Sequence, residues 1–189
     1  MKTKLTYLLA LTFLFLFSGS VVFGDDLRDG FDAANRGDFK TAYKLWLPLA
    51  EQGEAKAQFN LGIMYDHGRG VPQDYKEAIK WWGLAANQGH ANAQFNLGLM
   101  YRRGRGVPQD DKEAVKWYRL AAEQGNASAQ HNLGWMYEKG KGVPQDYKEA
   151  VKWWRLAAEQ GFARAQENLG KMYMRGQGVP KDYVSAHMW

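Results

Sequence analysis

A chain of 189 residues that is 46% hydrophobic and holds eight tryptophans has ample material for a packed core, which excludes an intrinsically disordered protein. It contains no cysteine, so a disulfide framework, a thiolate metal centre and a lipid anchor on cysteine are all excluded. The net charge of +5, with acids and bases mixed along the chain and two of the cations in Lys2 and Lys4, is too mild to argue for a nucleic-acid partner.

Residues 1–24 read as a secretory signal. Lys2 and Lys4 give the positive start, Leu5 to Phe17 is mostly apolar, and Val22-Phe23-Gly24 precedes Asp25 as a cleavage site. The rival reading is an uncleaved anchor, because Leu5 to Phe23 is nearly long enough to cross a bilayer. Either way the protein is expected to be exported, periplasmic or secreted, with the eukaryotic secretory lumen as the other destination. Membrane contact is expected only through an uncleaved signal. Ala, Lys, Glu, Leu and Gln dominate the remainder and predict an all-helical chain.

Residues 25–53 read as a short helical hairpin closed by Arg36-Gly37-Asp38. Its second helix lies in "GDFKTAYKLWLPLAEQG", where Pro48 is expected to bend it.

From residue 54 the chain repeats itself. "AQFNLGIMY" at Ala57 returns as "AQFNLGLMY" at Ala93, "AQHNLGWMY" at Ala129 and "AQENLGKMY" at Ala165, a step of 36 residues. The G-x-G-V-P element keeps the same step from Gly68, and "LAANQG" or "LAAEQG" recurs at Leu84, Leu120 and Leu156. Two apolar-periodic segments per unit of this length predict stacked helical hairpins. The units are expected over 54–89, 90–125 and 126–161, with 162–189 incomplete. Within a unit, Gly68 is expected as a left-handed cap, Pro72 stops the first helix, and Asp74 with Glu77 forms a capping box for the second. The box recurs at Asp110/Glu113 and Asp146/Glu149 but only half of it is available at Asp182/Ser185. Gly89, Gly125 and Gly161 close the second helices, and Asn126 is expected to cap a first helix rather than to carry a glycan. The glycine loop lacks the Gly-Lys-Ser/Thr of a phosphate site and follows no strand, so it serves the turn.

The succession L-G-x-x-Y, G-x-G-V-P-x-D and A-x-x-W-x-x-x-A-A-x-Q-G, three times in full and a fourth time cut short between Ala55 and Trp189, resembles the Sel-1-like repeat family, relatives of the tetratricopeptide repeats. The resemblance implies an all-α, right-handed α-solenoid of stacked antiparallel helix pairs. The stretch 25–53 resembles a shorter tetratricopeptide-type hairpin.

One hairpin cannot bury enough to stand alone, so stacking is required. The series Trp46, Trp82, Tyr118 and Trp154 is expected as a core ladder, with Trp81, Trp117, Trp153 and Trp189 beside it. Gly62, Gly98, Gly134 and Gly170 are expected to let neighbouring helices approach.

On a helical wheel, Ala57, Gln58, Leu61, Gly62, Met64 and Tyr65 fall on the side that stays nearly constant between units. The other side varies, and the resemblance implies that it lines a concave binding groove. Phe59, Ile63, Phe95, Leu99 and Trp135 would form an apolar row there, joined by His131 and rimmed by Arg102, Arg103, Lys139, Lys171 and Arg175. Packing against adjacent first helices is the competing role for the apolar members. Asn60, Asn96, Asn132 and Asn168 are polar and constant on the groove side. They bond either a bound segment's backbone, as the resemblance implies, or the array's own loops, the reading preferred here.

Nothing in the sequence calls for a cofactor or metal: the four histidines are not at ligand spacing with carboxylates, and no nucleophile motif is present. Some cysteine-rich members of the family are described as penicillin-binding or β-lactamase proteins, but their cysteines are missing here. The expected function is therefore a non-enzymatic scaffold for a protein or peptide partner. A weak cell-wall-directed hydrolase and a purely structural envelope protein are the alternatives. The last unit stops seven residues into its second helix, and the expectation is that the sequence is an incomplete fragment; the alternative is that a partner or dimerisation covers the apolar edge.

Overall fold

The computed structural model describes residues 25–189; the leader expected over 1–24 lies outside the described residues. All regular structure among them is helical. Helix α1 covers 25–35, followed by α2 (Phe39–Glu51), α3 (Ala55–His67), α4 (Tyr75–Asn87), α5 (Ala91–Arg103), α6 (Asp111–Glu123), α7 (Ala127–Lys139), α8 (Tyr147–Glu159), α9 (Ala163–Arg175) and α10 (Tyr183–Met188). The chain forms an all-α solenoid of hairpins, as its periodicity required, and divides into two compact units at Asp74.

The repeated punctuation sets the helix lengths. Gly140 ends α7 at φ 62°, ψ 38°, a left-handed cap that costs a glycine little and other residues considerably more. The second helices begin at an aspartate: Asp110 accepts from the backbone N–H of Lys112 and Glu113, and Asp146 from those of Lys148 and Glu149. At Asp110 and Asp146 the reciprocal half of the expected capping box does not form. The backbone N–H of Asp110 and Asp146 instead donates to the carbonyls of Tyr101 and Tyr137, both at 3.0 Å, and is no longer available to the glutamates. Glu113 and Glu149 turn outward to Lys116 and Lys152. The tyrosine carbonyl that ends each first helix thus ties it to the start of the second. Asn126 caps α7 through Ala129 N–H, as its position suggested. Helix α2 runs uninterrupted through Pro48, on its exposed side.

In the first unit α2 packs on α3, and Trp46, Leu49, Ala57, Leu61 and Met64 are buried. Trp46 is buried, its Nε1 donating to the Leu27 carbonyl at 3.2 Å. In the second unit each helix packs on the next from α4 to α10. Trp82, Tyr118 and Trp154 are buried in the core, each such ring contributing about 3 kcal/mol. The constant glycines serve this ladder. A Cβ on Gly98 would stand 2.5 Å from the Tyr118 ring, and one on Gly134 would stand 2.7 Å from Trp154. The close approach is therefore to an aromatic of the same hairpin rather than to the backbone of the next one. At Gly170 the near neighbour is the Ala186 carbonyl oxygen, at 3.1 Å.

The glutamine of each "AQ" pair is a second fastening. Gln94 and Gln130 donate from buried Nε2 atoms to the carbonyls of Ala86 and Ala122, both at 3.1 Å, adding to the bonds that these carbonyls accept from the N–H of Gly89 and Gly125 at the helix end. Gln124 then donates to Gln94 Oε1 at 2.7 Å, and Gln160 to Gln130 Oε1 at 2.8 Å. Amide hydrogen bonds therefore run from one hairpin to the next through the second unit. Gln58 makes the same bond to Ala50 within the first unit.

Candidate functional site

Burial follows the wheel. On the constant side of the first helices, Ala, Gln, Leu, Gly and Met are buried in α3, α5 and α7, and Tyr half-buried. On the varying side of α3, Phe59 and Ile63 are half-buried and Asn60 is buried, its Nδ2 without a partner. In the second unit Phe95, Leu99 and Trp135 are half-buried. They rest on the cluster of Ala114, Val115, Tyr118, Leu133 and Met136, and Trp135 also touches the cluster around Trp154. These apolar side chains both pack and show a face; the two roles weighed for them coexist.

The structure joins α5, α6, α7 and α9 at one point. Arg102 on α5 places its guanidinium 5.6 Å from the centre of the Trp135 ring on α7. The Tyr118 phenol of α6 lies behind them, its ring 6.0 Å from that of Phe95. Burial pushes the Tyr118 pKa up against the pull of Arg102, Asn132 and Arg103. Neither Arg102 nor Asn132 stands in hydrogen-bonding geometry to the phenol, and both the Tyr118 hydroxyl and Arg102 Nε are buried without partners.

His131 occupies the centre of this face. Its Nδ1 lies 3.4 Å from Asn132 Oδ1 and its Nε2 lies 3.3 Å from Asn168 Nδ2, while its ring is 5.2 Å from that of Phe162. An imidazole carrying its proton on Nδ1 satisfies both contacts, donating to Asn132 and accepting from Asn168. Burial lowers the His131 pKa from its ordinary 6.5; Asn132 opposes this, and Arg164 and Arg102 add to it. The site therefore holds a neutral histidine between cations at pH 7.

Asn132 and Asn168 bond His131 and not the array's own loops, the partner preferred for them from the sequence. Asn132 and Asn168 are taken by His131 because the varying position between them holds a hydrogen-bonding ring in this unit. Asn96 lies half-buried on α5. The basic rim divides in two. Lys139 pairs with Glu138 at 3.2 Å, and Lys171 with Glu167. Arg102, Arg103 and Arg175 form no ion pair among the described residues, and neither does Arg164, which the sequence did not single out as a site residue. Sequence reasoning also missed Tyr118 and Phe162 as neighbours of this face. The replacement of Trp by Tyr in an otherwise tryptophan-bearing series was the available signal for Tyr118.

Among the described residues no group of three His, Asp or Glu is placed to hold a metal ion, and no helix is long and apolar enough to cross a membrane.

Comparison with known proteins gives a consistent picture. The model of the Sel1 repeat matches residues 55–90, 91–126, 127–162 and 163–189. A protective antigen of uropathogenic Escherichia coli displaying an SLR fold superposes with a TM-score of 0.86 at 41% identity, covering 95% of this chain and 39% of its own. A Sel1 repeat protein from Oxalobacter formigenes gives 0.82 at 40% identity, over 86% of this chain and 67% of its own. Among curated proteins, DAP3-binding cell death enhancer 1 of Rattus norvegicus is 38% identical over 45 residues, which are 24% of this chain and 9% of that protein. The chain thus spans well under half the length of the antigen and a small part of the curated relative.

Proposed function

Because the chain belongs to the Sel1 repeat family, whose members are typically protein-interaction scaffolds, we propose that it is an exported, non-enzymatic adaptor holding a peptide or protein segment on the varying face of its first helices. One observation carries this reading. The side chains that differ between otherwise near-identical hairpins gather on a face that combines half-buried aromatics with arginines lacking counter-ions. Folding alone would be served by the same residue in each unit, as it is on the buried side. A surface with a partly exposed Trp–Arg stack suits recognition, since such groups bury much area at little entropic cost. The leader-like pattern of Lys2, Lys4 and the apolar run Leu5 to Phe17 supports export.

A photo-reactive phenylalanine analogue at Leu99 should cross-link the partner in cells, whereas the same analogue at Leu120, exposed on a second helix, should not. Cross-links from Leu120 with none from Leu99 would place recognition elsewhere.

A further inference from the structure

The face described above has an excess of donors. Arg102 Nε and the Tyr118 hydroxyl are buried without partners, and leaving such groups unsatisfied is costly enough that folded proteins rarely do it without a purpose. Asn132 directs Oδ1 to His131, which leaves its Nδ2 as a further donor. Arg164 acts on the same histidine from α9. The carboxylates of the neighbouring helices are already engaged, Glu138 by Lys139 and Glu167 by Lys171. The cluster lacks one thing, an anionic acceptor.

We propose that Arg102, Asn132 and Arg164 form a subsite for an acidic side chain of the bound segment, whose carboxylate supplies the acceptor that Arg102 lacks. The inference rests on the groove reading and deepens it by naming the chemistry of the ligand. Trp135 holds the guanidinium by stacking, so little ordering remains to be done when the carboxylate arrives. The unpaired arginines are spread over two helices, Arg102 and Arg103 on α5 and Arg164 and Arg175 on α9. That spread matches several acidic side chains along a segment better than one terminal carboxylate, which would engage a single arginine.

The test is selection of random short peptides on the full chain, displayed in one format with a free C-terminus and in another with the C-terminus buried in a fusion. Selected sequences should be rich in Asp and Glu in both formats. The tightest of them, made as an amidated peptide, should lose about tenfold or more in affinity to Arg102→Gln and to Arg164→Gln, and should weaken with added salt. Arg164 is exposed, so its variant keeps the fold even if Arg102→Gln lowers stability. Apolar peptides without acids would overturn the subsite while leaving the groove reading standing. Selection of no peptide above an unrelated helical control would overturn the groove reading as well. Selection confined to free C-termini, or acidic peptides indifferent to both substitutions, would each refute the assignment of acidic side chains to these residues.

Discussion

Gly134→Ala tests the account of how a hairpin closes. Gly134 lies inside α7 with ordinary helical φ, so the backbone itself favours alanine by about 1 kcal/mol. The structure predicts the opposite outcome. The new Cβ would stand 2.7 Å from Cδ1 and Nε1 of Trp154 and 3.1 Å from the Ala150 carbonyl oxygen. The ring has nowhere to retreat, being 1% exposed and tied to the His131 carbonyl through Nε1 at 3.0 Å. Overpacking costs about 1–3 kcal/mol and loss of the indole bond about 1 kcal/mol more, so the net loss after the helix gain is about 1–3 kcal/mol. Gly83 in α4 is the control. Nothing lies within 4 Å of a Cβ placed there, and Gly83→Ala should stabilise by about 0.5–1 kcal/mol. Far-UV circular dichroism melts would read the pair as shifts of opposite sign, about 2–4 °C per kcal/mol for a chain of this size. Repeat arrays can unfold in parts, so tryptophan fluorescence should be followed in parallel. A Gly134→Ala protein melting at or above the wild type would refute the reasoning.

Three further outcomes follow from the same geometry. Arg119 and Arg155 donate to the hydroxyls of Tyr137 and Tyr173 at 2.7 and 2.8 Å, and Gly83 occupies the corresponding position opposite Tyr101; Gly83→Arg should therefore stabilise by about 1–2 kcal/mol, read as a raised melting midpoint. Gln130→Leu removes two hydrogen bonds, to the Ala122 carbonyl and from the Gln160 amide, each of which keeps one other partner in Gly125 N–H and the Leu156 carbonyl, and should cost about 1–2 kcal/mol in urea unfolding, more than the exposed Gln145→Leu. The His131 ring should titrate below its ordinary 6.5 by NMR, because burial and the two arginines disfavour its charge. The unfolded chain then takes up this proton first, so stability is lost as pH falls from about 6.5 towards the lower native value, and His131→Gln should remove that part of the pH dependence.

The binding face was only partly legible in the sequence. Comparing units separated varying from constant positions, and Phe95, Leu99, Arg102, His131 and Trp135 do gather on one face. Which cations on it remain unpaired was not legible. Lys139 and Arg102 look alike in sequence, yet Lys139 sits against Glu138 while Arg102 lies over a ring supplied by the next hairpin. The capping box misled for a similar reason: its glutamates are at the right spacing, but the N–H they would have bonded is claimed by the tyrosine carbonyl of the preceding helix.

The sequence by itself determined the 36-residue period, the helices, their caps and the buried ladder. These depend on local terms, a glycine that tolerates left-handed backbone, a proline without a donor and an apolar stripe at helical spacing, and local terms repeat whenever the residues do. Only the tertiary structure decided that Gly134 makes room for Trp154, that Gln94 and Gln130 fasten one hairpin to the next, and that Arg102 Nε and the Tyr118 hydroxyl are buried without partners. Those outcomes depend on which groups from different helices come within reach of one another. That distance is set by packing, and no spacing along the chain encodes it.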